Sequence, residues 1–96
     1  MTRWLLTPEA AEDLERFADF LARHDPANAS RTLELILDAF EVLTRHPRIG
    51  RPLPGGLREL VISHGRTGYV ALYSHDEAAD LALVLAVRHQ REEDYH

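Results

Sequence analysis

Residues 58–87, RELVISHGRTGYVALYSHDEAADLALVLAV, decide the fold. Three strand-like runs lie here, separated by two turn signals. Residues 58–64 (RELVISH) put Leu60 and Ile62 on one face. Residues 68–74 (GYVALYS) put Tyr69, Ala71 and Tyr73 on one face and Val70 and Leu72 on the other, the period-2 pattern of a strand. Residues 81–87 (LALVLAV) are apolar almost throughout, as expected of a central strand covered on both faces. HGRTG at 64–68 and HDEAAD at 75–80 supply the turns, short enough for antiparallel neighbours.

Working back from this block, residues 47–57 (PRIGRPLPGGL) hold three Pro and three Gly in eleven residues, the composition of a loop. The period before that loop is helical. Ala29, Leu33, Ile36, Phe40 and Leu43 form one stripe, with Leu37 and Val42 widening it and Leu35 lying off it. The helix should stop near His46, because Pro47 disfavours helical backbone in the residue before it. Ala10, Leu14, Phe17, Ala18 and Leu21 form an earlier stripe, opened by Thr7-Pro8-Glu9 and separated from the second by a break at Arg23-His24 and a new start at Asp25-Pro26. Residues 3–7 (RWLLT) read as a short strand. The predicted order is β-α-α-β-β-β: an α+β domain over residues 1–96, a helix hairpin on a mainly antiparallel sheet.

Composition narrows the function. The net charge of −5 argues against a generic nucleic-acid binder, which needs a strong positive field. All eleven basic residues are Arg, so no lysine is present to act as a base or Schiff-base amine. Residues 9–41 carry nine acids and three Arg, whereas residues 45–66 carry five Arg and one acid, which suggests two faces with two jobs. There is no cysteine, no His pair at helical ligand spacing, no signal-peptide core and no membrane-length apolar run. A cytoplasmic protein with no metal and no cofactor is expected.

Taken together, the short first strand, the long helix hairpin, HPRIGRP at 46–52, LREL at 57–60, GYVALYS and VLAVRHQREEDY at 84–95 resemble the RelE/ParE toxins of type II toxin–antitoxin systems. The resemblance implies a toxin encoded beside an antitoxin, with plasmid stabilisation as an associated role. Such an antitoxin has a DNA-binding N-terminal part, of the ribbon-helix-helix type in ParD-like proteins, and a C-terminal segment that folds onto the toxin. DNA would then be met only through the antitoxin. RelE-like members are ribosome-dependent mRNA endonucleases; ParE-like members inhibit DNA gyrase by binding it.

By position, Arg58, Arg88 and Tyr95 match places where RelE-like nucleases carry functional residues, and His64 and His89 would add acid–base capacity. The loop where such nucleases tend to carry lysines has only Arg48 and Arg51, and arginine is a poor base. The ParE-like reading is therefore favoured, with the mRNA endonuclease as the alternative and no confident catalytic residue. Expected target contacts are Arg48, Arg51, Arg58, Arg66, Arg88 and Arg91; expected antitoxin contacts are Leu35, Leu37, Val42, Tyr69 and Tyr73. Three of these arginines also have a structural alternative: Arg58 paired with Glu59 or with an acid of the first helix, and Arg88 and Arg91 holding the acidic run 92–94.

Overall fold

The first turn of the leading helix shows how this chain is joined up. Thr7 has extended backbone, and its hydroxyl accepts from the Ala10 N–H at 3.1 Å, capping helix α1 (Pro8–His24). The same hydroxyl donates to the Leu85 carbonyl at 3.2 Å, at the far end of the chain. A computed structural model describes residues 1–64 and 67–90, without the side chains of 63, 64 and 67. It places strand β1 (Arg3–Leu6), α1, a 3-10 turn (Pro26–Asn28) and helix α2 (Ala29–Val42) before strands β2 (Arg51–Pro52), β3 (Leu57–His64), β4 (Thr67–Asp76) and β5 (Leu81–His89).

The strands form one sheet in the order β1-β5-β4-β3-β2. The last four pair antiparallel, and β1 lies parallel to β5, with Arg3 opposite Leu81 and Leu6 opposite Val84. The expected α+β class and helix hairpin are therefore present. Strands β4 and β5 each run two residues past their expected ends, to Asp76 and His89, and the loop and the end of α2 also differ from expectation. The loop contains a two-residue strand, β2, whose Arg51 faces Glu59. Helix α2 also ends at Val42 rather than near His46. There the N–H groups of Leu43, Thr44 and Arg45 donate to carbonyls three residues back, tightening the chain into turns ahead of Pro47.

The helices cover one face. Ala10 and Phe17 of α1 and Ile36 and Phe40 of α2, with Leu43 just beyond α2, pack on Leu60, Ile62, Tyr69, Ala71, Tyr73, Ala82, Val84 and Val87. A bulge keeps that face continuous: Leu72 faces Ala86 but Tyr73 faces Val84, so Leu85 is the extra residue. Without it, Val87 would point away from Ala82 and Val84. The opposite face is open at its β1 and β3 strands, with Leu5 and Val61 each 52 % exposed, whereas Leu81 and Leu83 of β5 are half-buried there.

Burial also corrects three expected contacts. Tyr69 and Tyr73 lie in the core, at 5 % and 0 % exposure, because their strand face is the one the helices cover. The Tyr69 ring meets Phe17 edge-on at 5.1 Å. Leu35 is partly buried and packs against the core instead of standing off it.

Candidate functional site

The loop between α2 and β3 is fastened to the sheet by two side chains. The Tyr73 hydroxyl accepts from the Gly50 N–H at 2.9 Å and donates to the Pro47 carbonyl at 2.8 Å. One nitrogen of Arg58, Nη1, donates to the carbonyls of Arg48 at 3.0 Å and Gly50 at 2.8 Å. Tyr73 and Arg58 can cooperate because they are directly opposite in the β3–β4 register and so share a face. Gly50 is needed for closeness. A Cβ there would lie 2.6 Å from Tyr73 Cε1 and 2.9 Å from the Glu59 carbonyl oxygen.

The backbone is thus held while its side chains face outward. Ile49 is 54 % exposed. Arg48 pairs with Glu77 of the β4–β5 turn, and Arg51 pairs with Glu59 at 2.8 Å, both arginines being mostly exposed. An open cleft runs beneath Arg48 and Ile49, walled by Thr2, His46, His75 and Asp80. Arg58 therefore does not pair with Glu59 or with a helix acid. Glu59 points to the other sheet face, where Arg51 stands opposite it.

A second polar cluster closes the open edge of β5. Strand β1 ends opposite Val84 while β5 continues to His89, so the outer backbone groups of β5 need other partners. Thr7 serves the Leu85 carbonyl, and Asp13 of α1 accepts from the Val87 N–H at 2.9 Å. The same Asp13 oxygen accepts from Arg88 Nη1 at 2.7 Å, and its other oxygen from Arg16 Nη2 at 3.0 Å. Arg88 also donates to the Val87 carbonyl at 3.2 Å. The anion that holds Arg88 is therefore Asp13. Residues 92–94 lie outside the described part of the chain. Sequence reading missed Asp13 because an acid in an acidic helix looks solvated. Its position three residues from both Ala10 and Arg16, inside the apolar stripe, was the available signal.

Among the described residues, the expected contact residues are not gathered into one patch. Arg58 serves the loop on the helix-covered side, while Arg88 stands opposite Val70 and reaches α1. Leu37 and Val42 are open, at 42 % and 39 % exposure. Arg66, Arg91 and Tyr95 lie outside the described residues, as does the side chain of His64. His89 ends β5 with its ring 5.3 Å from that of Tyr69. Among the described residues there is no group of His, Cys, Asp and Glu able to hold a metal ion. No described helix is long and apolar enough to cross a membrane.

Known proteins share this fold. A chromosomal ParDE toxin–antitoxin system from P. aeruginosa contains a chain matching 92 % of this one over 95 % of its own length, with a TM-score of 0.75 and 22 % identity. The toxin–antitoxin complex RelBE2 from Mycobacterium tuberculosis contains one matching 92 % of this chain over 96 % of its own, with a TM-score of 0.57 and 27 % identity. In sequence, Toxin RelE3 of Caulobacter vibrioides is 34 % identical over 87 residues, covering 91 % of this chain and 92 % of that protein. The profile described as "ParE toxin of type II toxin-antitoxin system, parDE" matches residues 5–94. The chain therefore belongs to the ParE toxin family, within the RelE/ParE superfamily of type II toxin–antitoxin toxins.

Proposed function

We infer that this toxin arrests growth by binding DNA gyrase, in the cytoplasm, and that a ParD-like antitoxin with a ribbon-helix-helix DNA-binding part neutralises it. The observation that carries the reading is the engagement of Arg58 and Arg88 by the fold itself. Cleavage of RNA beside its 2′-hydroxyl needs a base, a cation free to meet the crowded phosphate and an acid for the leaving oxygen. Arg58 is committed to two loop carbonyls and Arg88 to Asp13. An arginine cannot act as the base near neutral pH. Binding a protein asks only for exposed side chains on a firm backbone, which Arg48, Ile49 and Arg51 provide. The match to the ParE family supports a ParD-like partner, and the exposed apolar side chains Phe20, Leu37 and Val42 on the acidic hairpin suit an amphipathic segment bearing some basic residues.

The mRNA endonuclease remains the second reading, favoured by the RelE name of the Caulobacter relative. Purified toxin is expected to block supercoiling by purified gyrase, and primer extension on mRNA from induced cells is expected to show no new ends within codons. Codon-internal ends that vanish in Arg88→Ala or Tyr95→Phe, with gyrase unaffected, would reverse the assignment. Co-expression with the neighbouring reading frame should yield a stable complex. A toxin that purifies alone under those conditions contradicts the antitoxin part.

A further inference from the structure

We propose that the tip of the fastened loop is the toxin's target-contacting edge, with Ile49 as its apolar centre and Arg48 and Arg51 as flanking cations, and that the partner is a protein surface offering an apolar pocket rimmed by carboxylates. This rests on the reading of the chain as a binding toxin and names the part of it that binds. The argument starts from an imbalance. The fold spends a buried tyrosine hydroxyl, a guanidinium and a glycine in close contact on immobilising residues 47–50. Yet Ile49, in the middle of that segment, adds little to the core, since 54 % of it faces water. Its own N–H donates to the His46 carbonyl at 3.1 Å, so its direction is set as well. A held backbone carrying an exposed apolar side chain binds without the entropy cost of ordering a loop. The cleft beside it, between His46, His75, Thr2 and Asp80, leaves room for a partner side chain next to Ile49.

Charge selects the kind of partner. Each loop cation has an acid at its side, Glu77 for Arg48 and Glu59 for Arg51. A phosphate backbone would meet those acids together with the arginines, and the chain is acidic overall. A protein carboxylate can instead take over Arg48, whose pair with Glu77 is exposed on both sides and exchanges readily, and can join Arg51 through guanidinium nitrogens other than the Nη2 that holds Glu59. Guanidinium forks then fix the register of the partner.

The test compares Ile49→Asp with Val61→Asp, a change at an equally exposed apolar residue on the far sheet face. Each full-length variant is assayed for growth arrest, inhibition of purified gyrase, thermal melting and co-purification with the neighbour-encoded antitoxin. For Ile49→Asp the expected result is about a 30-fold rise in the concentration giving half-inhibition, with melting and antitoxin binding unchanged. Val61→Asp should inhibit like the parent chain. Full arrest by Ile49→Asp overturns the proposal while leaving the gyrase reading intact. If the parent chain arrests growth without touching gyrase, the gyrase reading falls; loss of arrest in Ile49→Asp then still supports the loop edge. Loss of antitoxin binding in Ile49→Asp assigns the loop to the antitoxin and overturns the proposal, as does codon-internal RNA cleavage that survives Ile49→Asp but fails in Arg48→Ala.

Discussion

Asp13→Ala is expected to lower unfolding stability by about 2–4 kcal/mol, most of it from the Val87 N–H left without an acceptor and the rest from partly exposed guanidinium contacts. Asp13 is the one carboxylate among the described residues that ties α1 to the edge of β5, and its side chain is only 9 % exposed. Domains of this size have about 5–10 kcal/mol in total, so the loss takes a large share. Asp13→Asn keeps an oxygen for Val87 and should lose roughly half as much. Arg88→Ala should lose less again, because Asp13 retains Val87 and Arg16 and the Arg88 side chain is 43 % exposed. Urea denaturation of the three variants checks the order. An Asp13→Ala midpoint equal to that of the parent chain would remove the edge-closing role.

Gly50→Ala is the second large effect, and here the cause is space. The new methyl carbon would stand 2.6 Å from Tyr73 Cε1 and 2.8 Å from its hydroxyl oxygen, and Tyr73 is fully buried with no room to retreat. Overpacking of this kind costs about 1–3 kcal/mol, and lifting the loop to relieve it gives up hydrogen bonds from Tyr73 and Arg58 worth about 1 kcal/mol each. Tyr73→Phe keeps the ring and removes only the hydroxyl, stranding the Gly50 N–H and Pro47 carbonyl at a cost of about 1–3 kcal/mol. Both variants should expose the loop, so tryptic cleavage after Arg48 should quicken, more for Gly50→Ala. Parent-like resistance to trypsin in both would mean that the loop is held by something other than Tyr73.

The local parts of this structure were legible in the sequence. Apolar spacing marked both helices, Thr7-Pro8 marked the start of α1, and alternation divided β4 into its two faces correctly. What alternation could not say was which faces stayed open, so Tyr69 and Tyr73 read as candidate contact residues until the helices were seen above them. The pairings that matter most to the site join residues far apart in the chain. Tyr73 with Gly50, Arg58 with the Arg48 carbonyl and Asp13 with Val87 leave no periodic trace. Backbone carbonyls are also invisible as ion partners in a sequence. Arg58 was therefore matched to acids when its real acceptors carry no charge.

The parallel pairing of β1 with β5 has a consequence for synthesis. Arg3 to Leu6 are synthesised well before the strand they dock against, Leu81 to Val84. The Thr7 hydroxyl and the Asp13 carboxylate likewise wait for Leu85, Val87 and Arg88. Until residues 81–88 have emerged, the opening strand and the first helix lack these partners, and contacts of such long sequence separation form slowly. The opening strand and first helix are thus joined to the sheet only once β5 has been made, so the edge they close is the last part of the fold to form.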